Sequence, residues 1–411
     1  MSHRVLLVMR TRTYRARAFL RAAERLGVDV TVATEREQPL AHVAPGATVA
    51  LDFSSVKGAL ERIRDFAAEY PIEAVVGVDD DTTVLAAQLA AALGLPHNPV
   101  EAVKAARYKD VMRLALSEAE GVLSPGFWLL SLDEDSTPFA TRLAYPVVLK
   151  PLSLAASRGV IRADDVAGFI AAFDEIKAIL AESDLQPDDP GASQILVEEF
   201  IPGAEVALEG LLIDGELTTL ALFDKPDPLD GPYFEETIYV TPSRLPRATQ
   251  VEIADAVQRA SAALGLRTGP VHAEARLNER GAWIVEVAAR SIGGLCSSTL
   301  RFGDETSLEE IILRQALRLD LGSLEREQLP AGVMMIPIAA AGVLREVGGL
   351  ERARAVPGIT SVDITIPCGE RVEPLPRASR YLGFIFAQAD TPADVERALR
   401  RAHSLLAFDI A

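Results

Sequence analysis

The sequence predicts a multidomain α/β and α+β protein, with a parallel-sheet domain at the N-terminus and antiparallel sheets beyond it. Over the first hundred residues, short apolar runs alternate with segments of helical periodicity, which is typical of a parallel sheet covered by helices. From about residue 195 onward, apolar strands follow one another across short turns, which indicates antiparallel pairing. At 411 residues the chain exceeds one ordinary core, so we expect two to four domains or lobes.

In the N-terminal region, each apolar run predicts a strand and each stretch of 3.6-residue periodicity predicts a helix. The predicted strands cover 3–9, 29–34 and 73–81, and the predicted helices cover 14–27, 56–70 and 82–95. Parallel sheets bind ligands at the carboxyl ends of their strands, where Asp79, Asp80 and Asp81 stand. These carboxylates either contact a substrate amine or simply form an acid-rich helix N-terminus.

The rest of the chain predicts mainly antiparallel structure. Its predicted strands cover 146–150, 159–162, 195–200, 205–213, 217–225, 269–278, 282–290, 332–340, 360–366 and 382–388. Its predicted helices cover 164–180, 248–264, 305–319, 348–355 and 392–406. An acidic, proline- and glycine-containing segment at 181–193 predicts an exposed connection. We therefore expect an α/β domain at 1–98, two lobes at 99–190 and 191–325, and a small α+β domain at 326–411.

Composition excludes several classes of protein. The formal net charge of −18 argues against binding to nucleic acid, because the phosphate backbone would be repelled. No stretch reaches the roughly 18 uninterrupted apolar residues of a membrane helix, and the basic start of the chain does not predict a signal peptide. The only cysteines, Cys296 and Cys368, are far apart and predict neither a disulfide framework nor a zinc site. A cytoplasmic location is expected.

Several well-known catalytic motifs are absent from the sequence. It contains no Walker A loop, dinucleotide glycine fingerprint, Gly-x-Ser-x-Gly elbow or His-Glu-x-x-His helix. A P-loop enzyme, a serine hydrolase and a zinc protease are therefore disfavoured.

Two lysines, Lys109 and Lys150, are candidates for binding phosphate groups. Lys150 ends an apolar strand, and Lys109 lies among helical turns in the stretch ARYKD. An ammonium group on a long stem suits phosphate binding, although a lysine that snorkels to solvent would give the same pattern. The loop at 153–160, SLAASRGV, contains small residues that let backbone N–H groups approach phosphate oxygens, and Ser157 lies in it.

A second feature is the stretch LVEEFIPGAEV at 196–206. Glu198 and Glu199 end an apolar strand, Phe200 and Ile201 follow, and Glu205 lies beyond a Pro-Gly turn. Because side chains alternate along a strand, one of the adjacent glutamates is expected to face a cleft. Backbone groups here could contact a purine edge and a carboxylate could accept a ribose hydroxyl. An edge strand with solvated glutamates is the alternative.

The third feature lies at 272–294. Glu274 and Glu286 are expected on neighbouring hairpin strands, where two carboxylates can coordinate Mg²⁺ or Mn²⁺. Arg290 could stabilise charge that develops during phosphoryl or acyl transfer, and Gly293 with Gly294 would allow a close backbone approach. His272 lies either beside the substrate or in the core.

In this order the three features resemble the ATP-grasp superfamily, over roughly residues 1–325. The resemblance implies a pre-ATP-grasp domain at 1–98, two lobes that enclose ATP at 99–190 and 191–325, and a C-terminal domain. Lysines on the ATP phosphates are matched by Lys109 and Lys150, and the phosphate-covering loop by SLAASRGV. The adenine hinge is matched by Glu198, Glu199, Phe200 and Ile201, the ribose carboxylate by Glu205, and the metal ligands by Glu274 and Glu286. Many members have a third ligand, an asparagine, where this chain has Ala288.

A closer resemblance is to the L-amino acid ligases, the dipeptide-forming branch. It is carried by VDDDTT, LGLPHNP, ARYKDVMR, VEVAARSIGG and the tail from GVMMIPIAAAGVLREV to PLPRASRYLGFIFA. It implies a carboxylate–amine ligase that works through an acyl phosphate, with Arg290 as the catalytic residue and amino acids as substrates. A biotin-carboxylase-like or purine-pathway enzyme, such as an N5-carboxyaminoimidazole ribonucleotide synthase, and a non-catalytic ATP-binding regulator are the alternatives. A homodimer is one option for the assembly.

Overall fold

A computed structural model of the chain describes residues 3–38, 43–183, 185, 189–378 and 380–411. Its elements combine one parallel sheet with antiparallel sheets, so the predicted α/β and α+β class is confirmed. Part of the connection predicted at 181–193 lies outside the described residues. Within the described ranges, no helix has both the length and the apolarity needed to cross a bilayer.

The N-terminal region forms a parallel four-stranded sheet with helices against it. Its elements are β1 (Arg4–Val8), α1 (Ala16–Leu26), β2 (Asp29–Thr34), β3 (Thr48–Ala50), α2 (Val56–Glu69), β4 (Ala74–Gly77) and α3 (Thr83–Ala92). The strand order is β3-β2-β1-β4. The apolar run of β1 is almost fully buried at the centre, and this burial drives the sheet to form. The short strand β3 was not predicted.

Two short helices follow, α4 (Val100–Arg107) and α5 (Lys109–Ser117), and they lead into a second sheet. That unit contains β5 (Phe127–Ser131), α6 (Thr137–Ala140), β6 (Val147–Pro151), β7 (Ile161–Ala163), α7 (Val166–Ala181) and β8 (Gln194–Glu199). Its strands are antiparallel in the order β5-β8-β6-β7. Helix α7 buries Phe169, Phe173 and Ile176 against the sheet, which gives this unit its own core.

The largest sheet has eight strands and provides the floor beneath the candidate site. The first segment of the chain that contributes to it forms the strands β9 (Ala204–Ile213), β10 (Glu216–Asp224), β11 (Ile238–Thr241), β12 (Gly269–Asn278) and β13 (Gly281–Ala288). The same segment forms the helices α8 (Arg247–Ala263) and α9 (Leu308–Ala316). Gly203 allows β9 to start close to β12, because a Cβ at this position would lie 2.0 Å from the carbonyl oxygen of Leu277. Its φ of +128° also favours glycine. Strand β11 was not predicted.

The C-terminal residues extend the same sheet. They form β14 (Ala331–Ile336), β15 (Gly342–Gly348), α10 (Leu350–Arg354), β16 (Ile359–Ile364), β17 (Arg371–Val372), β18 (Gly383–Gln388), α11 (Pro392–His403) and β19 (Ala407–Ile410). The order of the large sheet is β13-β12-β9-β10-β11-β14-β18-β16, and β17-β15-β19 form a smaller sheet. Because β14 pairs with β11, the large sheet crosses the predicted boundary at 325/326. The four-part division of the chain stays a prediction.

Candidate active site

A cavity lies between the antiparallel four-stranded sheet, β5-β8-β6-β7, and the eight-stranded sheet. It is bordered by β6 and β8 on one side, by β12 and β13 on the other, and by the 153–160 loop. Ten of the residues singled out from the sequence line it: Lys109, Lys150, Ser157, Glu198, Glu199, Phe200, Ile201, Glu205, Glu274 and Glu286. The fold thus brings together residues that are up to 177 positions apart in the sequence, from Lys109 to Glu286.

The two lysines occupy different surroundings. Lys150 is only 8% exposed, and its Nζ lies 2.6 Å from Oε2 of Glu198. Lys109 donates from Nζ to the carbonyl of Leu154 at 2.9 Å, so it contacts the 153–160 loop directly. Its Nζ also lies 4.0 Å from Oε1 of Glu286. Burial lowers the pKa of Lys109, although the Glu286 carboxylate opposes that shift.

Glu198 is held between two cations. Oε1 accepts from Nε of Arg113 at 2.7 Å, and Oε2 pairs with Lys150. Burial alone would raise the pKa of Glu198, but Arg113 and Lys150 outweigh it and lower the pKa to about 2. The Glu198 side chain is therefore an ionised carboxylate in the cavity wall. Arg113 was missed from the sequence, although it follows Lys109 by four residues on α5 and so lies on the same helix face.

Some backbone groups at the end of β8 are hydrogen-bonded within the protein. The N–H groups of Glu199 and Phe200 donate to the carbonyls of Gly126 at 2.9 Å and Pro146 at 3.3 Å. The Ile201 carbonyl accepts from Nη1 of Arg276 at 2.7 Å. Among the described residues, none accepts a hydrogen bond from the Ile201 N–H, and Ile201 lines the cavity. The exposed Glu199 carboxylate accepts from the Gly126 N–H at 3.2 Å.

A buried ammonium group joins three carboxylates on the cavity floor. Nζ of Lys225 lies 2.7 Å from Glu205, 2.9 Å from Glu236 and 3.0 Å from Glu274. Burial would lower the pKa of Lys225, but the three carboxylates raise it well above its ordinary value. Lys225 is therefore a buried residue, although it lies one position beyond the end of β10. Glu205 also accepts from Nε of Arg276 at 3.1 Å, so both of its oxygens have cationic partners.

The predicted metal ligands lie directly opposite each other. Glu274 on β12 is the register partner of Glu286 on β13, and both side chains line the cavity. Burial would raise the pKa of Glu274, but Lys225 and His272 lower it to about 2, so the carboxylate is ionised. Carboxylate oxygens of Glu274, Glu205 and Glu236 also lie within 4.8 Å of one another. Because the Lys225 ammonium already lies among these three carboxylates, the opposed pair of Glu274 and Glu286 fits a hard divalent cation better than the three together. Glu236 was not predicted as a site residue.

A second, larger cleft adjoins the first cavity. The two share residues 154–157, Glu236, Glu274 and Glu286 as lining. The remaining sequence candidates line this cleft rather than the first cavity: His272, Arg290, Gly293 and Gly294. Predicted nucleotide-binding residues and predicted substrate-binding residues are thus separated into neighbouring spaces that meet at the paired glutamates.

Arg290 is anchored in the cleft by an acid from the parallel sheet. Its Nε donates to Oδ1 of Asp80 at 3.2 Å, and Oδ2 of Asp80 lies 3.1 Å from Nη1 of Arg107. Burial would raise the pKa of Asp80, but Arg107 and Arg290 lower it. The neighbouring Asp79 instead accepts from the Arg10 N–H at 3.1 Å and the Thr13 hydroxyl at 2.6 Å, and its own N–H donates to the Thr82 hydroxyl at 3.2 Å at the start of a 3-10 turn. The helix-end interpretation therefore suits Asp79.

His272 lies between two carboxylates beneath the cleft. Its Nδ1 is 3.5 Å from Glu209 and its Nε2 is 3.6 Å from Glu274. It is 6% exposed, so it is a core residue by burial and a cleft residue by position. Burial would lower the pKa of His272, but Glu209 and Glu274 raise it. Ala288 is the partner of His272 across the β12–β13 ladder. Gly294 donates its N–H to Oη of Tyr14 at 2.9 Å.

Comparisons with known protein families match three parts of the chain. Residues 20–97 match the ATP-grasp N-terminal domain, residues 143–299 match an ATP-grasp domain, and residues 334–411 match the L-amino acid ligase C-terminal domain 2. The matches lie in the order that the sequence predicts for this fold.

Individual proteins give the same picture. The chain is 29% identical over 247 residues to alanine–anticapsin ligase of Bacillus subtilis, covering 57% of this chain and 52% of that protein. It is 31% identical over 242 residues to dapdiamide A synthase of Enterobacter agglomerans, covering 58% and 55%. The chain therefore spans about half the length of the curated relatives it matches.

Among the solved structures that match the whole length of this chain, two show the range of similarity. The crystal structure of an L-amino acid ligase from Bacillus licheniformis has a TM-score of 0.83 and 27% identity, and the match covers 100% of this chain and 99% of that one. An N5-carboxyaminoimidazole ribonucleotide synthetase from Thermotoga maritima has a TM-score of 0.70 at 16% identity, with 100% of both chains covered, and shows the fold alone. The chain belongs to the ATP-grasp superfamily and resembles its L-amino acid ligases.

Proposed function

We propose that the protein is an ATP-dependent carboxylate–amine ligase that forms an amide bond, and that its substrates are amino acids and its product a dipeptide. The observation that carries this proposal is the position of Arg290, in a cleft that meets the adjoining cavity at Glu274 and Glu286. A nucleotide in the cavity would direct its phosphates toward those glutamates, and a substrate in the cleft would lie between them and Arg290.

The cavity residues have separate tasks in this proposal. The Ile201 N–H and the strand end at Glu198–Ile201 contact the adenine, while Lys109, Lys150 and the Ser157 loop contact the phosphates. Glu205 would reach the ribose. Glu274 and Glu286 would hold Mg²⁺ or Mn²⁺, which neutralises phosphate charge when bound. Ala288 offers no third ligand, so water and phosphate oxygens would complete the coordination.

The reaction proceeds in two balanced steps. A carboxylate oxygen attacks the γ-phosphorus of ATP, ADP leaves, and an acyl phosphate forms. The neutral amine of the second substrate then attacks the carbonyl carbon, loses a proton and displaces phosphate. Arg290 stabilises the negative charge that develops in both steps. Water must be excluded from the acyl phosphate, which is the task of the lobes and of the 153–160 loop.

The relatives support this assignment through their names. Alanine–anticapsin ligase, dapdiamide A synthase and the L-amino acid ligase are all ligases or synthases, and the match to the last of these extends over the whole chain. The purine-pathway structures are at most 18% identical among those compared, so they support a shared fold and carry no argument about the reaction. We further propose a cytoplasmic enzyme that acts on small molecules.

The test is a phosphate-release screen with purified protein, Mg²⁺, ATP and all pairs of amino acids, with the product mass determined. An amide product formed with equal amounts of ADP and phosphate supports the ligase. No phosphate release with any pair contradicts it. ADP formation that requires bicarbonate would instead indicate a carboxylase, and ATP binding without turnover would indicate a regulator.

A further inference from the structure

One arginine of the C-terminal region contacts the four-stranded unit that covers the cavity. Arg377 donates from Nε and Nη2 to the two oxygens of Glu175 at 2.7 and 3.2 Å. Its Nη1 lies 3.1 and 3.0 Å from the two oxygens of Glu182. A single guanidinium therefore makes four charge-assisted hydrogen bonds to two carboxylates, one of them in the bidentate arrangement that arginine favours.

The two glutamates are placed to receive this arginine. Glu175 lies within α7 and Glu182 is its C-cap residue, seven positions later, so both lie on one face of the helix. A carboxylate at a helix C-terminus is disfavoured by the helix dipole, and two neighbouring carboxylates repel each other. Arg377 relieves both effects. Among the described residues, Arg377 is the cation that pairs with both Glu175 and Glu182.

The same segment also contacts the loop predicted to cover the phosphates. The carbonyl of Pro376, next to Arg377, accepts the N–H of Gly159 at 2.8 Å. Gly159 has a φ of +73°, and a Cβ there would lie 2.7 Å from Cγ of Pro151, so the loop end is tightly packed. On the other side, the N–H of Arg162 donates to Pro232 at 2.8 Å. The 153–160 loop is thus fixed where it returns to β7.

We propose that Arg377 is a positioning residue, which holds α7 and the 153–160 loop in the closed arrangement over the nucleotide cavity. This proposal rests on the ligase function proposed above. Arg377 and Glu175 are each about one-third exposed and Glu182 is more exposed, so the contact adds little to the stability of the fold. The contact instead sets the fraction of molecules in which the loop is closed, and only these molecules bind ATP and shield an acyl phosphate. When that fraction falls, the apparent affinity for ATP falls in proportion.

The experiment compares Arg377→Gln with Arg380→Gln. Arg380 is the control three residues away, because it also pairs with a glutamate, Glu370, at 3.0 Å, but that pair lies inside the C-terminal region. We expect Arg377→Gln to raise KM for ATP roughly 2- to 10-fold, as suits a partly exposed ion pair. It should also raise the amount of phosphate released per amide formed, because water reaches the acyl phosphate. Arg380→Gln should change neither quantity.

Hydrogen exchange provides a second readout that needs no turnover. Amides of the 153–160 loop should exchange faster in Arg377→Gln and in the double variant Glu175→Gln/Glu182→Gln than in the wild type or in Arg380→Gln. Unchanged exchange in the loop, or an unchanged KM and phosphate ratio in an active enzyme, would overturn the proposal. If the wild type makes no amide, the ligase function fails, and the exchange measurement still decides whether Arg377 holds the loop.

Discussion

Arg290 and Asp80 form an ion pair across two sheets, with Nε of the arginine 3.2 Å from Oδ1 of the aspartate. Asp80 follows the carboxyl end of β4 in the parallel sheet, whereas Arg290 follows β13 in the eight-stranded sheet. Arg107, two residues before Lys109, pairs with the second oxygen of Asp80. One carboxylate therefore holds both the proposed catalytic arginine and the last residue of α4, which lies two positions before the proposed phosphate lysine Lys109.

We predict that Asp80→Asn lowers kcat about 10- to 100-fold, because the loss of charge leaves Arg290 free to adopt other rotamers. KM for ATP should change less than about 3-fold, since the cavity lining stays intact. Steady-state kinetics with the best amino-acid pair provides the measurement. Asp29→Asn is the matched control, because it removes another aspartate–arginine pair of the parallel sheet, with Arg4. Equal kcat values in Asp80→Asn and the wild type would refute the orienting role.

Arg290 itself should be more sensitive to substitution. We predict that Arg290→Ala lowers kcat roughly 10²- to 10³-fold, the usual scale for the loss of one group that stabilises a transition state. ATP binding, measured by calorimetry, should stay close to that of the wild type because Arg290 lines the cleft and not the first cavity. An unchanged rate would remove the proposed role of Arg290.

The paired glutamates give a prediction about metal dependence. Glu286→Ala should abolish Mg²⁺-dependent turnover and weaken Mn²⁺ binding in the presence of ATP, since it removes one of two predicted protein ligands. Electron paramagnetic resonance of bound Mn²⁺ gives a readout apart from activity. Glu279→Ala is the control, because Glu279 is exposed in the turn between the same two strands. Mn²⁺ binding equal to that of the wild type would show that Glu286 is not a ligand.

The fold class was predictable because local patterns determine it. Alternating apolar runs and helices predicted the parallel sheet, and the long strands β9, β10, β12 and β13 were recognised from their apolar sequences and short turns. Strand β5 was missed, because Trp128 and Leu129 are both exposed and the segment lacks the signal of a buried strand. β11 was missed because its four buried residues lie within a mixed aromatic and acidic segment.

The site was only partly predictable, because its contacts join distant parts of the chain. Carboxylates and lysines on apolar strands stood out in the sequence, and most of them line the cavity. Arg113, Glu236 and Asp80 acquire their significance only from partners such as Glu198, Lys225 and Arg290. No local pattern specifies these pairs, since each depends on how two sheets meet. The roles of all these residues in binding stay predictions.

The buried carboxylate of Glu198 should make the free energy of unfolding depend on pH. Its pKa is about 2 in the folded protein against an ordinary value of 4.5, so its stabilising effect is fully present above pH 4.5 and is lost as the pH falls toward 2. The shift corresponds to about 3 kcal/mol. Glu198→Gln leaves Arg113 and Lys150 without their counterion and should cost roughly 3–5 kcal/mol at pH 7.

Urea unfolding at a series of pH values between 7 and 2.5 provides the measurement. The difference in unfolding midpoint between the wild type and Glu198→Gln should be largest at pH 7 and should shrink below pH 4.5, because the Glu198 carboxyl then binds a proton in the unfolded chain while the folded protein binds it only near pH 2. Glu199→Gln is the control, since its exposed side chain lies on the same strand and should change stability by less than about 0.5 kcal/mol. A difference that stays constant from pH 7 to 2.5 would show that Arg113 and Lys150 do not stabilise the ionised form of Glu198.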